Sequence, residues 1–120
     1  MGNSVFTPAM QGNTDLVIKN VNLLSGSPYQ MLAAKGALFA ASWRGHSATV
    51  RALCEWGVNV DSQCEAGDTP LMWAARWGHK DVIEVLLFHG ANKDIKDNIG
   101  NRAFDYAKNN NNLIVLYLLN

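Results

Sequence analysis

The 120-residue chain lacks any imbalance of charge, since ten Lys and Arg offset ten Asp and Glu. Phosphate binding needs concentrated Lys and Arg, so nucleic acid is not expected as a partner. The same balance disfavours a polybasic membrane anchor. No apolar run approaches the roughly 18 to 20 residues of a transmembrane helix, so no membrane partner is expected. A basic segment followed by an apolar one is missing from the start, which speaks against a secretory signal. Met1-Gly2-Asn3-Ser4-Val5-Phe6 begins like a myristoylation signal but puts Phe6 where Ser or Thr is wanted. The only two cysteines, Cys54 and Cys64, make no disulfide framework. No Asn-x-Ser/Thr sequon occurs. Together these absences describe a reduced intracellular chain, cytoplasmic with the nucleus open to it. A hydrophobic content of 48% is ample for the core of one domain of this length.

What is present is a repeat. Arg44-Gly45-His46 recurs as Trp77-Gly78-His79, a shift of 33 residues. The same shift pairs Leu38 with Leu71, Ala41 with Ala74, Leu53 with Leu86, Gly57 with Gly90, Asn59 with Asn92 and Asp61 with Asp94. Gly67 falls on Gly100, opening a third copy with Phe104 at the leucine position and Ala107 at the alanine position. Each copy reads as two short helices. Leu71, Ala74 and Ala75 share one helix face, as do Leu38, Ala41 and Ser42, and small residues there let neighbouring helices approach closely. Thr69 is placed to cap that helix and Pro70 to start it, with Gly45 and Gly78 ending the first helices. Val82, Ile83, Leu86 and Leu87 form the apolar stripe of a second helix whose Glu84 points outward. Val50, Leu53 and Cys54 repeat the stripe one copy earlier, and Gly57 and Gly90 close these helices. Helices this short are marginal alone and gain stability by stacking.

The run Gly67-Asp68-Thr69-Pro70-Leu71-Met72-Trp73-Ala74-Ala75-Arg76-Trp77-Gly78-His79, followed by Val82-Ile83, Leu86-Leu87 and Gly90-Ala91, closely resembles the ankyrin repeat. The resemblance covers residues 67–97 most fully, 34–66 clearly and 100–120 in part. It implies an all-α ankyrin-repeat solenoid: stacked antiparallel helix pairs, short β-hairpin-like fingers on one side, and a concave surface that binds proteins. One ankyrin-repeat domain, 1–120, is expected. It divides into a degenerate N-terminal capping repeat (1–33), repeats 34–66 and 67–99, and a truncated C-terminal capping repeat (100–120). There are departures. Met72 and Phe39 replace the signature histidine, so its polar network with the threonine should be absent. Gly36-Ala37 and Arg102-Ala103 replace Thr-Pro. Asn109 to Asn112 occupy the last inter-helix turn, where asparagine tolerates the left-handed conformation. Gly12-Asn13-Thr14-Asp15-Leu16-Val17 aligns with residues 78–83, but the turn around Ser25-Gly26-Ser27-Pro28 lacks the finger pattern.

Catalytic chemistry finds little support. No G-x-S-x-G, Walker loop, dinucleotide fingerprint or H-E-x-x-H occurs, so neither enzymatic activity nor a cofactor is expected. His46 and His79 hold equivalent positions after a helix-ending glycine, a structural place in the family, and no further ligands at zinc spacing accompany them. His89 sits near a helix C-terminus, where a cation is mildly favourable. Cys54 reads as core and Cys64 as a finger residue without an activating neighbour.

Tryptophan says more. Trp43-Arg44 and Arg76-Trp77 precede the helix-ending glycines, positions that line the concave groove in the family, and Trp and Arg are enriched in binding hot spots. Because their order is swapped, Trp43 with Arg76 and Arg44 with Trp77 are also placed to stack on each other across repeats. Trp73 and Tyr106 should pack between repeats, and Trp56 should face outward on the convex side. Glu65, Asp68, Asp97 and Asn98 should make the finger rim acidic and polar, suiting a partner with a basic rim and an apolar anchor. The expected function is a protein–protein interaction module with a scaffold or regulatory role. Its unidentified partner protein should be held by Lys35, Trp43, Arg44, Glu65, Asp68, Arg76, Trp77 and Asn98. The alternatives are a nucleotide or metabolite in the Trp/Arg groove, and the targeting or regulatory arm of a larger multidomain protein. Leu113, Val115, Leu116 and Leu119 close the chain with few charges, an apolar end open to self-association.

Overall fold

The computed structural model describes residues 4–120. Met1, Gly2 and Asn3, and with them the glycine of the myristoylation-like start, lie outside the described residues. The elements are α1 (Phe6–Gln11), α2 (Thr14–Asn22), α3 (Gln30–Arg44), α4 (Ser47–Trp56), α5 (Pro70–Arg76), α6 (Lys80–Phe88), α7 (Ala103–Ala107), a 3₁₀ turn (Lys108–Asn110) and α8 (Leu113–Leu119). They form four helix pairs in two layers. The inner layer stacks α1, α3, α5 and α7, and the outer layer stacks α2, α4, α6 and α8. The body measures 39 × 24 × 22 Å, elongated along the stack.

The apolar stripes explain the layers. Leu38, Val50, Leu53, Leu71, Val82, Ile83 and Leu86 are all buried, and Ala34, Ala37, Ala41, Ala74, Ala75 and Ala107 give the inner helices close contact. Fully burying one such leucine is worth about 1.5 to 3 kcal/mol, and each stripe is covered only by its neighbours in the stack. Thr69 caps α5 by accepting from the Met72 N–H at 3.3 Å, with Pro70 in the first turn. Met72 does more than the sequence predicts. Its sulfur accepts from the Thr69 N–H at 3.5 Å, so a weak thioether contact stands where no link to the threonine was expected.

Between α4 and α5, and again between α6 and α7, the chain projects as a finger. Each tip is closed by a backbone bond, Cys64 N–H to Asp68 C=O at 3.0 Å and Asp97 N–H to Asn101 C=O at 2.9 Å. The second finger docks on the first through Asn98 N–H to Ala66 C=O at 3.0 Å. These are hairpin-like turns without a strand ladder among the described residues.

No such finger precedes α3. Residues 23–29 form tight turns, and α3 then runs 15 residues to Arg44. The local cause is the missing proline. Pro70 disfavours helix in the residue before it, and Thr69 is extended (ψ 163°), whereas Gly36-Ala37 impose no such stop. Met31, Leu32, Ala33 and Ala34 then carry the helix upstream.

Two placements differ from expectation at the edges of the stack. Trp56 is half-buried rather than outward, and its indole N–H donates to Asn22 Oδ1 at 3.1 Å, tying α4 to α2. In α8 the helical period separates the apolar residues. Val115 and Leu119, four apart, are buried, while Leu113 and Tyr117 present the opposite face at 80% and 82% exposure. Ile114 is also exposed, so the open apolar end consists of Leu113, Ile114 and Tyr117 rather than the four residues expected.

Candidate functional site

The two repeated histidines hold the stack together. His46 Nε2 lies 2.8 Å from the Met10 carbonyl, and His79 Nε2 lies 2.8 Å from the Trp43 carbonyl. A carbonyl only accepts, so each ring carries its proton on Nε2 and donates it to the preceding inner helix. In the last copy an amide takes over. Asn110 Nδ2 donates to the Ala75 and Arg76 carbonyls at 2.6 and 3.1 Å. The turn that follows uses Asn111 in the left-handed conformation (φ 51°), and Asn112 caps α8.

The C-terminal turns of α3 and α5 present the tryptophans. Trp77 is 58% exposed, Trp43 is half-buried and Arg44 is exposed. Trp43, Trp73, Arg76 and Trp77 wall a hollow of about 180 Å³. Trp43 and Trp77 also bound a second, shallower hollow with Arg44 and His79. Trp43 meets Trp73 edge-on at 6.3 Å, and Trp73 meets Phe39 edge-on at 4.9 Å, so an aromatic chain runs from the groove into the stack. Trp73 was expected to pack between repeats only, but it also forms a wall of the hollow. The signal was available in the spacing: Arg76 lies three residues after Trp73 on α5, and Trp77 follows as the residue that caps the helix. The buried Trp73 indole N–H has no acceptor among the described residues.

The expected cross-repeat ladder takes another form. Arg44 lies 6.0 Å over Trp43 of its own helix, and Arg76 lies 4.2 Å over Tyr106 of the next repeat. Arg76 points forward because a carboxylate waits there: Nη2 donates to Asp68 Oδ2 at 3.2 Å. A charge-assisted hydrogen bond outweighs a partly exposed cation–π contact.

Behind Arg76 lies a buried acidic pair. Asp68 and Asp97 are only 6% and 7% exposed, so the finger rim is less acidic than the sequence implies. Asp97 accepts from the Tyr106 hydroxyl and from the Ile99 and Asn101 N–H groups. Burial raises the Asp97 pKa, but the Tyr106 and Asn101 hydrogen bonds outweigh it and hold the carboxyl below the usual range. Burial pushes Asp68 upward, the adjoining Asp97 adds to this, and Arg76 offsets only part. Asp68 Oδ1 has no hydrogen-bond donor among the described residues, so burial weighs more heavily on Asp68 than on the well-hydrogen-bonded Asp97.

The remaining candidates flank this face. Lys35 Nζ donates to the Gln63 carbonyl at 2.7 Å, tying α3 to the first finger. Glu65 is exposed at the finger tip, where its carbonyl accepts from Asn98 Nδ2 at 2.9 Å. Lys35, Trp43, Arg44, Arg76 and Trp77 thus belong to the inner helices and Glu65, Asp68 and Asn98 to the fingers. Cys54 is half-buried, and that burial, with Glu55 beside it, pushes its thiol up to about 11. Such a thiol is a poor nucleophile at neutral pH. No group of three His, Cys, Asp or Glu side chains placed to hold a metal occurs among the described residues. No described helix is long and apolar enough to cross a membrane.

A family model described as ankyrin repeats (3 copies) matches residues 8–97 and 38–120. Among curated relatives, a palmitoyltransferase of Lachancea kluyveri, AKR1, is 33% identical over 93 residues, 76% of this chain and 13% of the relative. The E3 ubiquitin-protein ligase XBAT33 of Arabidopsis thaliana is 38% identical over 65 residues, 54% of this chain and 12% of the ligase. Protein phosphatase 1 regulatory subunit 12A of Mus musculus is 30% identical over 71 residues, 59% of this chain and 7% of the subunit. The similarity therefore spans a small part of each of these relatives.

Proposed function

The chain belongs to the ankyrin-repeat family, and from that premise we propose that it is a protein–protein interaction module capturing a partner protein on the inner-helix and finger face. The observation that carries this reading is the pair of hollows between Trp43 and Trp77, where an exposed tryptophan stands beside Arg44, a cation in no ion pair among the described residues. Large aromatic surface held in place costs little entropy when a partner covers it. Lys35, Trp43, Arg44, Glu65, Arg76, Trp77 and Asn98 form the proposed contact face, with Asp68 positioning Arg76 from behind. The role is binding rather than catalysis, in the cytoplasm or nucleus.

The shape of the hollows favours a protein over a small ligand. A small-molecule site usually buries 70–90% or more of its ligand in roughly 300 to 1,000 Å³. The Trp73 hollow holds about 180 Å³, below that range, and the adjoining Arg44–His79 hollow, about 380 Å³, is still more open to solvent, so neither encloses a small ligand. The second reading, a targeting or regulatory arm, draws support from the relatives, in which the matched stretch is a small part of a longer protein. It adds to the binding role and does not replace it.

The test is capture of partner protein from cells by the tagged chain. It compares wild type, a Trp43→Ala, Arg44→Ala, Trp77→Ala triple variant, and the outer-face control Phe88→Ala. The triple variant should lose the captured protein while its helical circular dichroism is kept, and the control should retain it. Capture that survives in the triple variant overturns the groove assignment.

A further inference from the structure

Charge in this chain is balanced in total but not in place. The inner helices and the 3₁₀ turn carry Lys35, Arg44, Arg76 and Lys108 against one acid, Asp105. That acid is engaged, accepting from the Arg102 N–H at 2.9 Å and lying 3.4 Å from Lys108. The outer helices reverse the balance, with Asp15, Glu55, Asp81 and Glu84 against Lys19, Arg51 and Lys80. The two hollows beside the tryptophans are lined by Trp43, Arg44, Trp73, Arg76, Trp77 and His79, with no acid among them. Of the finger acids, Glu65 stays exposed at the finger tip and lines neither hollow, while Asp97 turns onto Tyr106 and Asp68 onto Arg76. Arg76 is thereby neutralised. Arg44, exposed and in no ion pair among the described residues, is the unmatched cation at the groove.

We propose that the occupant of this groove is an acidic peptide segment of the partner: one apolar or aromatic side chain enters the Trp43–Trp73–Trp77 hollow, and flanking carboxylates pair with Arg44. The proposal rests on the protein-binding reading and specifies its partner. The size fits one side chain, because a cavity of about 150 Å³ holds a benzene-sized guest and this hollow offers about 180 Å³. The charge fits a carboxylate in the same place. Arg44 stands 6.0 Å from the Trp43 ring centroid, and its planar fork suits bidentate pairing. A partner with a basic rim would instead bring its cations to Arg44 without a free carboxylate in the groove to meet them. A single-stranded nucleic acid is also anionic and stacks on tryptophan, but it needs a track of cations along its backbone. Here Arg76 faces Asp68, Lys108 faces Asp105, and Lys35 is bonded to Gln63 at the first finger and lines neither hollow, so the cations do not line up as a track along the tryptophans.

The experiment titrates the full chain, followed by tryptophan fluorescence, with three synthetic peptides of equal length. Each has a central Phe, flanked by Glu in the first, Gln in the second and Lys in the third. A thymidine oligonucleotide is the fourth probe. The Glu peptide should bind up to about fivefold tighter than the Gln peptide, the increment of one exposed ion pair, and the Lys peptide weakest. Raised salt should narrow the gap. Arg44→Glu should invert the order, and Trp77→Ala should weaken all three peptides. Equal or tighter binding of the Gln or Lys peptide, binding of the oligonucleotide alone, or no response to any peptide overturns the proposal. The broader reading is judged separately. A preference for the Lys peptide that Trp77→Ala abolishes leaves protein binding at the groove intact, whereas capture from cells that survives the triple variant removes both.

Discussion

Gly45 and Gly78 occupy equivalent turns, yet replacing them with alanine should cost different amounts. Both glycines are left-handed, with φ of 79° and 70°. An alanine at either place meets the same backbone penalty, about 1 to 2 kcal/mol. The surroundings differ. A Cβ on Gly45 would lie 2.7 Å from Nδ1 of His79, so the ring must move. That ring donates to the Trp43 carbonyl at 2.8 Å, and losing the bond adds about 1 to 3 kcal/mol when the carbonyl is left unmet. A Cβ on Gly78 meets the Asn110 side chain at 3.8 Å, an ordinary contact. Gly45→Ala should therefore cost about 2 to 5 kcal/mol and Gly78→Ala only about 1 to 2. In a domain of this size the excess is several degrees in Tm. Urea and thermal unfolding followed by circular dichroism measure both. The double-mutant cycle with His79→Ala isolates the cause, because without the imidazole the extra cost of Gly45→Ala should vanish. Equal losses for the two alanines, or an excess that persists without His79, would refute the histidine wedge.

Three further outcomes follow from other places in the stack. Ser42 is fully buried with an unpartnered hydroxyl, and the next repeat has Ala75 there. Ser42→Ala should therefore stabilise the chain by about 1 kcal/mol in urea titration. The Asp68–Asp97 pair should give stability a maximum near the ordinary carboxylate range. Asp97, with its pKa lowered, contributes above that range and loses its contribution as pH falls through the folded value. Asp68, with its pKa raised, contributes fully below the range and loses its contribution as pH rises through the folded value. Each limb has a slope of at most about 1.4 kcal/mol per pH unit. Asp68→Asn, which mimics the protonated acid, should abolish the high-pH limb and keep the low-pH one. An unchanged profile in that variant would count against the raised Asp68 pKa. Sedimentation at several concentrations should show self-association through Leu113, Ile114 and Tyr117, lost on Tyr117→Lys, and a strictly monomeric wild type would count against it.

The fold was legible because its determinants are local and recur. A glycine just after each helix from α3 to α6 and small residues on the inner face can be matched copy against copy, and stacking asks little beyond that. The start of α3 was less legible. The sequence showed that Ser25–Pro28 lacked a finger pattern, but not what would replace it. Pro70 makes a break in its copy compulsory, whereas Gly36-Ala37 only permit one. With a permissive sequence, tertiary packing of Ala34 and Ala37 against the stack decides that the helix continues upstream. The same distinction explains Met72, since its sulfur reaches the Thr69 N–H only because α5 carries it there, a contact outside any polar motif.

The candidate site was legible in its residues and not in its electrostatics. The family resemblance, read at the residues before each helix-ending glycine, pointed to Trp43, Arg44, Arg76 and Trp77 as one groove, and Trp43, Arg44 and Trp77 do border one hollow while Arg76 borders the next. Whether Asp68 and Asp97 would face solvent depended on something no spacing encodes, namely that Tyr106 and Arg76 from two different repeats converge on the space between the fingers. Once a cation and a phenol are there, turning the carboxylates inward replaces their lost hydration with hydrogen bonds. The consequence reaches the groove. Two acids that a linear reading assigns to the rim are spent holding Arg76 and Tyr106. The charge left facing outward beside the tryptophans is Arg44, opposite in sign to the rim the composition of the fingers predicts.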